Sequence, residues 1–89
     1  MALLDLLGRR WTLRVLWELR ERPLSFRALR AQCDELSPTI LNRRLAELRE
    51  AAIVVLGDDG YGLSEDGSQL VEALLPLHQW AEGWAKRIR

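Results

Sequence analysis

The sequence predicts a mainly α-helical domain with one small β-hairpin, and three observations lead there. Apolar residues recur at the spacing of a buried helical stripe, in Leu41, Leu45 and Leu48 and again in Leu70, Leu74, Leu77, Ala81, Trp84 and Ile88. Helix punctuation falls at Gly8, Pro23, Ser37-Pro38 and Ser64, which divides the chain into five helical segments. One stretch breaks the helical pattern: Ile53-Val54-Val55-Leu56 and Tyr61-Gly62-Leu63 are β-like runs on either side of the turn-rich Gly57-Asp58-Asp59-Gly60. With 89 residues, 48% of them hydrophobic, the chain can bury one modest core, so residues 1–89 are read as a single domain.

The first helix covers residues 2–7 and stops at Gly8. The second, residues 10–21, carries Trp11, Thr12, Leu13, Val15, Leu16, Trp17 and Leu19 almost all the way round. A helix so apolar must be covered on more than one side, by the domain core and, on another face, by a partner subunit. Ser25 caps a third helix in which Phe26 and Leu29 point inward while Arg27 and Arg30 point out. Residues 32–36 connect it tightly to a fourth helix, residues 37–51, with Ser37 as N-cap and Pro38 in the first helical position. Two short helices joined in this way, at residues 25–51, form a helix-turn-helix, and the hairpin at residues 53–63 adds a short wing. Ser64 then caps a long last helix over residues 65–89, which Pro76 should bend. The architecture is a winged helix-turn-helix with a long C-terminal dimerisation helix.

The fourth helix carries the functional signal. Its buried stripe leaves Thr39, Arg43 and Ala46 on the opposite side, with Asn42 on the flank. These are side chains suited to a DNA major groove: Arg can hold guanine bidentately, Asn can hold adenine, and Thr or Ala can approach a thymine methyl. An ordinary amphipathic helix with a solvated Arg43 fits the same pattern. Ser25, Arg27 and Arg30 lie where the first helix of the motif would cross the DNA backbone, with Ser37 at the start of the second. Arg44, beside the buried stripe, would clamp a phosphate or brace the fold, and Arg9 and Arg10 are weaker candidates for DNA contact.

The charges sum to zero, but they are unevenly placed. Up to Arg49 there are ten arginines against six acids, and from Glu50 onward three basic residues face seven acids. The basic half contains the candidate reading helix. A single cysteine, Cys33, excludes an intrachain disulfide and a Cys-rich zinc site. The apolar start of the chain lacks a basic leader and a cleavage site, so neither secretion nor a membrane span is expected, and a cytoplasmic location is.

Leu13, Trp17, Leu77, Trp80, Ala81, Trp84 and Ile88 look like a subunit seam, since tryptophans near the end of so small a chain seldom stay uncovered. The same aromatics could instead line a cleft for a planar, apolar effector at the dimer interface. Trp11, and Trp17 in large part, suit the core. His78 is the sole histidine and has no partner set for a triad or a metal site. Asp58, Asp59, Glu65 and Asp66 lack the spacing of a calcium loop and suit a turn followed by the acidic first turn of a helix. No enzymatic activity, metal or cofactor is expected.

Taken in order, several short motifs resemble the HxlR-type transcriptional regulators, which are related to MarR winged-helix proteins. They are Leu6-Leu7-Gly8-Arg9-Arg10-Trp11-Thr12-Leu13, Phe26-Arg27-Ala28-Leu29, Leu36-Ser37-Pro38-Thr39-Ile40-Leu41, Arg44-Leu45-Ala46-Glu47-Leu48, Glu50-Ala51-Ala52-Ile53-Val54 and Tyr61-Gly62-Leu63-Ser64-Glu65-Asp66-Gly67. The resemblance implies a cytoplasmic homodimer paired through its terminal helices. Its two reading helices would enter successive major grooves of a pseudo-palindromic operator, about one helical turn apart.

Four positions depart from the family's pattern. The hairpin is short and carries Asp58 and Asp59, which phosphate would repel, where relatives have a longer basic wing. Ala52 stands where the family often has a glycine, so the turn is either built differently or strained by on the order of 1 kcal/mol. Thr39 replaces a residue that is often basic. The sequence starts after the position where the family commonly carries a sensing cysteine, and Cys33, elsewhere, does not inherit that role. The neutral charge and the acidic wing also suit an alternative function, a winged-helix protein-interaction or assembly module with little sequence-specific DNA binding.

Overall fold

Leucines from three helical segments make the centre of the core. Leu16, Leu19, Leu29, Leu41, Leu45 and Leu48 are fully buried together with Val15, Val54 and Cys33. In the computed structural model, which describes residues 2–88, the elements run α1 (Ala2–Leu7), α2 (Thr12–Glu18), α3 (Phe26–Gln32), α4 (Pro38–Glu50), β1 (Val54–Gly57), β2 (Gly60–Leu63) and α5 (Glu65–Arg87). The mainly helical, winged helix-turn-helix architecture expected from the sequence is therefore present.

Several boundaries differ, each for a local reason. The second helix is shorter than the expected residues 10–21. Trp11 sits at φ 77°, a left-handed conformation that stops the helix from extending backward. At its other end the Leu19 N–H is shared between the Val15 and Leu16 carbonyls, and the Trp17 carbonyl accepts from both the Arg20 N–H and the Arg20 guanidinium. The caps of α3 and α5 form as expected: Ser25 Oγ accepts the Ala28 N–H at 3.0 Å and Ser64 Oγ accepts the Gly67 N–H at 2.9 Å. Ser37 occupies the N-cap position of α4, but its side chain makes no capping bond. Pro38, with its φ preset for a helix, starts α4 without that help. Pro76 does not end α5, which continues to Arg87.

The wing is tighter than the expected four-residue loop. Gly57 pairs with Gly60, leaving only Asp58 and Asp59 at the tip. Gly60 lies at φ 111°, and a Cβ there would come within 2.5 Å of the Leu24 carbonyl oxygen, so no other residue fits. Leu24 adds an isolated β-bridge to β2: its N–H and C=O each bond to Tyr61 at 2.8 Å.

The junction after α4 positions everything else. Ala52 adopts φ 60°, the Ala52 N–H bonds to the Arg49 carbonyl, and the Ile53 N–H reaches back to the Leu48 carbonyl, both at 3.0 Å. This is the Schellman closure usually made with glycine. Of the two alternatives left open at Ala52, the chain takes the strained one. Ile53 is consequently spent on closing α4 and falls outside β1, contrary to the sequence reading. The Ser64 hydroxyl donates to the Ala52 carbonyl at 2.7 Å, and the Ser64 N–H to the Ile53 carbonyl at 2.9 Å. Gly67 lies so close that a Cβ would meet the Ile53 oxygen at 2.1 Å. The end of α4 and the start of α5 are thus fastened at one point.

Candidate nucleic-acid interface

On α4, Leu41, Leu45 and Leu48 are buried, while Ser37, Thr39, Asn42, Arg43 and Ala46 are exposed. The burial of one stripe forces the other out, as the spacing requires. On α3, Ser25 and Arg27 are exposed and Leu29 is buried. Phe26 is half-buried against the core and tilts toward Tyr61 of β2 with ring centroids 6.5 Å apart. Among the described residues, the Arg27 and Arg43 side chains make no hydrogen bond or ion pair within the chain. Their guanidinium groups stand available to solvent.

Arg30 and Arg44 are placed differently. Arg30 Nε donates to the Leu36 carbonyl at 2.7 Å and its Nη1 pairs with Glu35 at 3.2 Å, so it holds the turn of the motif. Arg44 Nε donates to the Arg10 carbonyl at 2.8 Å and its Nη1 to Glu47 at 3.0 Å, which ties α4 to the turn between α1 and α2. Of the two roles open to Arg44 in the sequence, bracing is visible here. Arg10 contributes its carbonyl to that brace.

The turn between α3 and α4 is held under strain. Asp34 and Glu35 both adopt left-handed φ, 59° and 58°. Besides Arg30, Arg14 of α2 secures it through the Gln32 carbonyl at 2.6 Å and Asp34 at 3.4 Å. Arg14 Nε also donates to Glu18 at 2.8 Å, a bond that raises the Arg14 pKa above its ordinary value. Cys33 lies beneath the turn with no exposed surface, and burial pushes its thiol up. Arg14 and the paired left-handed residues were not foreseen from sequence. Nothing in the spacing of Arg14 and Asp34 announces a contact across twenty residues.

The wing tip presents Asp58 and Asp59 to solvent, and the adjacent Val55 and Leu56 are half exposed. On α5 only Gly67 and Val71 are buried, and the helix beyond them carries an uncovered apolar face. Leu77, Trp80, Trp84 and Ile88 are 58%, 57%, 44% and 63% exposed. Trp80 and Trp84 stack nearly parallel, 9° apart with centroids at 5.8 Å. Leu13 and Trp17 of α2 meet Leu74, Leu77, His78 and Ala81 of α5 in a groove of about 390 Å³. Trp17, expected largely in the core, is only half-buried, with the His78 ring at 4.4 Å and the Arg20 guanidinium at 3.9 Å. Leu4 of α1 is also exposed, at 61%. No helix among the described residues is long and apolar enough to cross a membrane.

The comparisons with known proteins agree with this geometry. A family model for the HxlR-like helix-turn-helix matches residues 6–89. Quinone-bound YodB from B. subtilis is 29% identical in sequence, covers 97% of this chain and 93% of its own, and superposes with a TM-score of 0.79. A possible HxlR family transcriptional factor from Thermoplasma volcanium is 28% identical over 94% of this chain and 82% of its own, with a TM-score of 0.82. Reduced HlyU from Vibrio cholerae is 29% identical over 84% of this chain and 83% of its own, at 0.70. No curated protein matches the sequence. The chain belongs to the HxlR-like helix-turn-helix family, a family of DNA-binding transcription regulators and not of enzymes.

Proposed function

We propose that the chain works as a homodimer on a pseudo-palindromic operator, each copy reading a major groove with the helix at residues 37–51. The observation that carries this is the exposed, unpaired Arg43 beside Asn42 and Thr39, with Arg27 free on the preceding helix. Arg43, Asn42 and Thr39 are assigned to base edges, and Ser25, Arg27 and Ser37 to the phosphate backbone. Arg30 and Arg44, held by internal bonds, support the motif's geometry and meet phosphate only at its margin. The apolar face of α5, with Leu13 and Trp17, is assigned to the second copy, since stacked tryptophans left in water would favour association. One solved relative is quinone-bound. The groove of about 390 Å³ between α2 and α5 supports a planar, apolar effector at the same interface here.

Fluorescence-anisotropy titration against promoter fragments and random duplex tests the reading. Arg43→Ala should lose about 1 to 3 kcal/mol on the selected fragment and relax its sequence preference. Arg27→Ala should weaken all duplexes alike and flatten the salt dependence. Equal losses on selected and random DNA for Arg43→Ala would remove it from base contact. No binding at all would favour an assembly module, a reading supported by the acidic wing tip and the exposed Val55 and Leu56.

A further inference from the structure

Glu47 is the shared partner of two arginines. One carboxylate oxygen accepts from Arg44 Nη1 at 3.0 Å and the other from Arg9 Nη1. The Arg44 and Glu47 side chains are 14% and 20% exposed, so this is a partly shielded pair that salt screens less than a fully exposed one. On α4, at roughly 100° per residue, Glu47 lies about 40° from Arg43 around the helix, with Arg44 further on in the same direction. The carboxylate therefore sits on the flank of the exposed face, toward the turn that carries Arg9.

A helix seated in a major groove has the two DNA strands along its flanks. Arg9 and Arg44 stand on such a flank, yet they share the one carboxylate of Glu47, which cancels one of their two charges. A phosphate approaching them also meets the negative charge of Glu47 and gains less than it would from two unpaired arginines. Sequence-independent affinity scales with the number of phosphates neutralised, whereas base contacts set the preference among sequences.

We propose that Glu47 is an affinity-limiting residue that holds Arg9 and Arg44 back from the DNA backbone, lowering affinity for every sequence alike and leaving discrimination to Thr39, Asn42 and Arg43. This rests on the assignment of α4 as a DNA-reading helix. Glu47 touches no base; it acts through the two arginines it holds.

The test is anisotropy titration of a random-sequence duplex over a series of salt concentrations, with the wild type, Glu47→Gln, Arg9→Gln and the double variant. Glu47→Gln should bind random duplex more tightly, its slope of log affinity against log salt steepening by about 0.9 to 1.8 as one or two phosphates are newly contacted. Its ratio of operator to random affinity should stay as it is, since the base contacts are untouched. Arg9→Gln alone, a change at an exposed side chain, should leave the wild-type slope unchanged, and in that background the gain from Glu47→Gln should shrink by about half. An unchanged slope in Glu47→Gln, or a gain as large without Arg9, would overturn the proposal, the latter showing a bare charge effect. Should Glu47→Gln prove unfolded by circular dichroism, Arg9→Gln still decides: a slope flattened by about 0.9 would mean that Arg9 already meets phosphate in the wild type. A wild type that binds no duplex would instead refute the DNA-reading assignment itself.

Discussion

Replacing Ala52 with glycine should make the protein more stable, against the usual direction of an alanine-to-glycine change. Ala52 holds φ 60° and closes α4 through two backbone bonds of 3.0 Å. A left-handed L-residue costs roughly 1 to 2 kcal/mol, and glycine removes that cost. Against it stands the greater freedom of glycine in the unfolded chain, roughly 0.4 to 1 kcal/mol. Ala52 is exposed, so removing its methyl opens no cavity. The net expectation is a gain of about 0.5 to 1 kcal/mol, or a rise of about 2 to 8 °C in Tm. Urea unfolding followed by tryptophan fluorescence, at one fixed protein concentration because association contributes to stability, measures it directly. Ala51→Gly supplies the control: Ala51 has φ −80°, gains nothing from glycine, and should lose about 0.5 to 1 kcal/mol. If Ala52→Gly is neutral or destabilising with an unchanged m value, the strain assigned to this closure does not exist.

Gly67→Ala should be costly, by at least about 2 kcal/mol in the same assay, because the new methyl would press on the Ile53 carbonyl oxygen; a neutral result would mean that α5 can shift away freely. Cys33 should resist iodoacetamide at pH 8 in the native protein and react at once in urea. Since burial raises its folded pKa, the associated stability is complete below the thiol's ordinary value, about 8.5, and is lost as pH rises beyond it, where the unfolded chain ionises first. A native thiol that reacts at the unfolded rate would contradict its burial. Trp84→Asp should convert a sedimenting dimer to monomer and weaken operator binding together, leaving the helical content of the domain in place; a dimer that persists would move the seam away from α5.

Local rules carried the sequence reading far and long-range pairings limited it. Leu41, Leu45 and Leu48 revealed both the buried and the exposed side of α4 because helical periodicity is a property of neighbours in sequence. Ser25 and Ser64 marked two helix starts for the same reason. The Leu24–Tyr61 bridge was invisible: a strand of one bridged residue after Pro23 has no period to detect. Arg30 looked like a free cation, and for Arg44 bracing stayed one of two alternatives, because their partners, the Leu36 and Arg10 carbonyls, are backbone atoms that every sequence possesses. The short second helix was likewise missed, since a tryptophan at φ 77° runs against its own local preference and is imposed by the packing around it.

The fastening of Ala52 and Ile53 to Ser64 and Gly67 turns α5 into a lever. At 1.5 Å per residue its 23 residues span about 34 Å, with the reading helix clamped at one end and the tryptophans near the other. In the proposed dimer the arm from Trp80 and Trp84 back to the clamped end is roughly 25 Å, so a tilt of about 4° would carry that end through about 1.8 Å, about half the rise of a base pair, about 3.4 Å. Two such levers moving in opposite senses would put the reading helices out of step with successive grooves while every contact inside each domain stayed as it was.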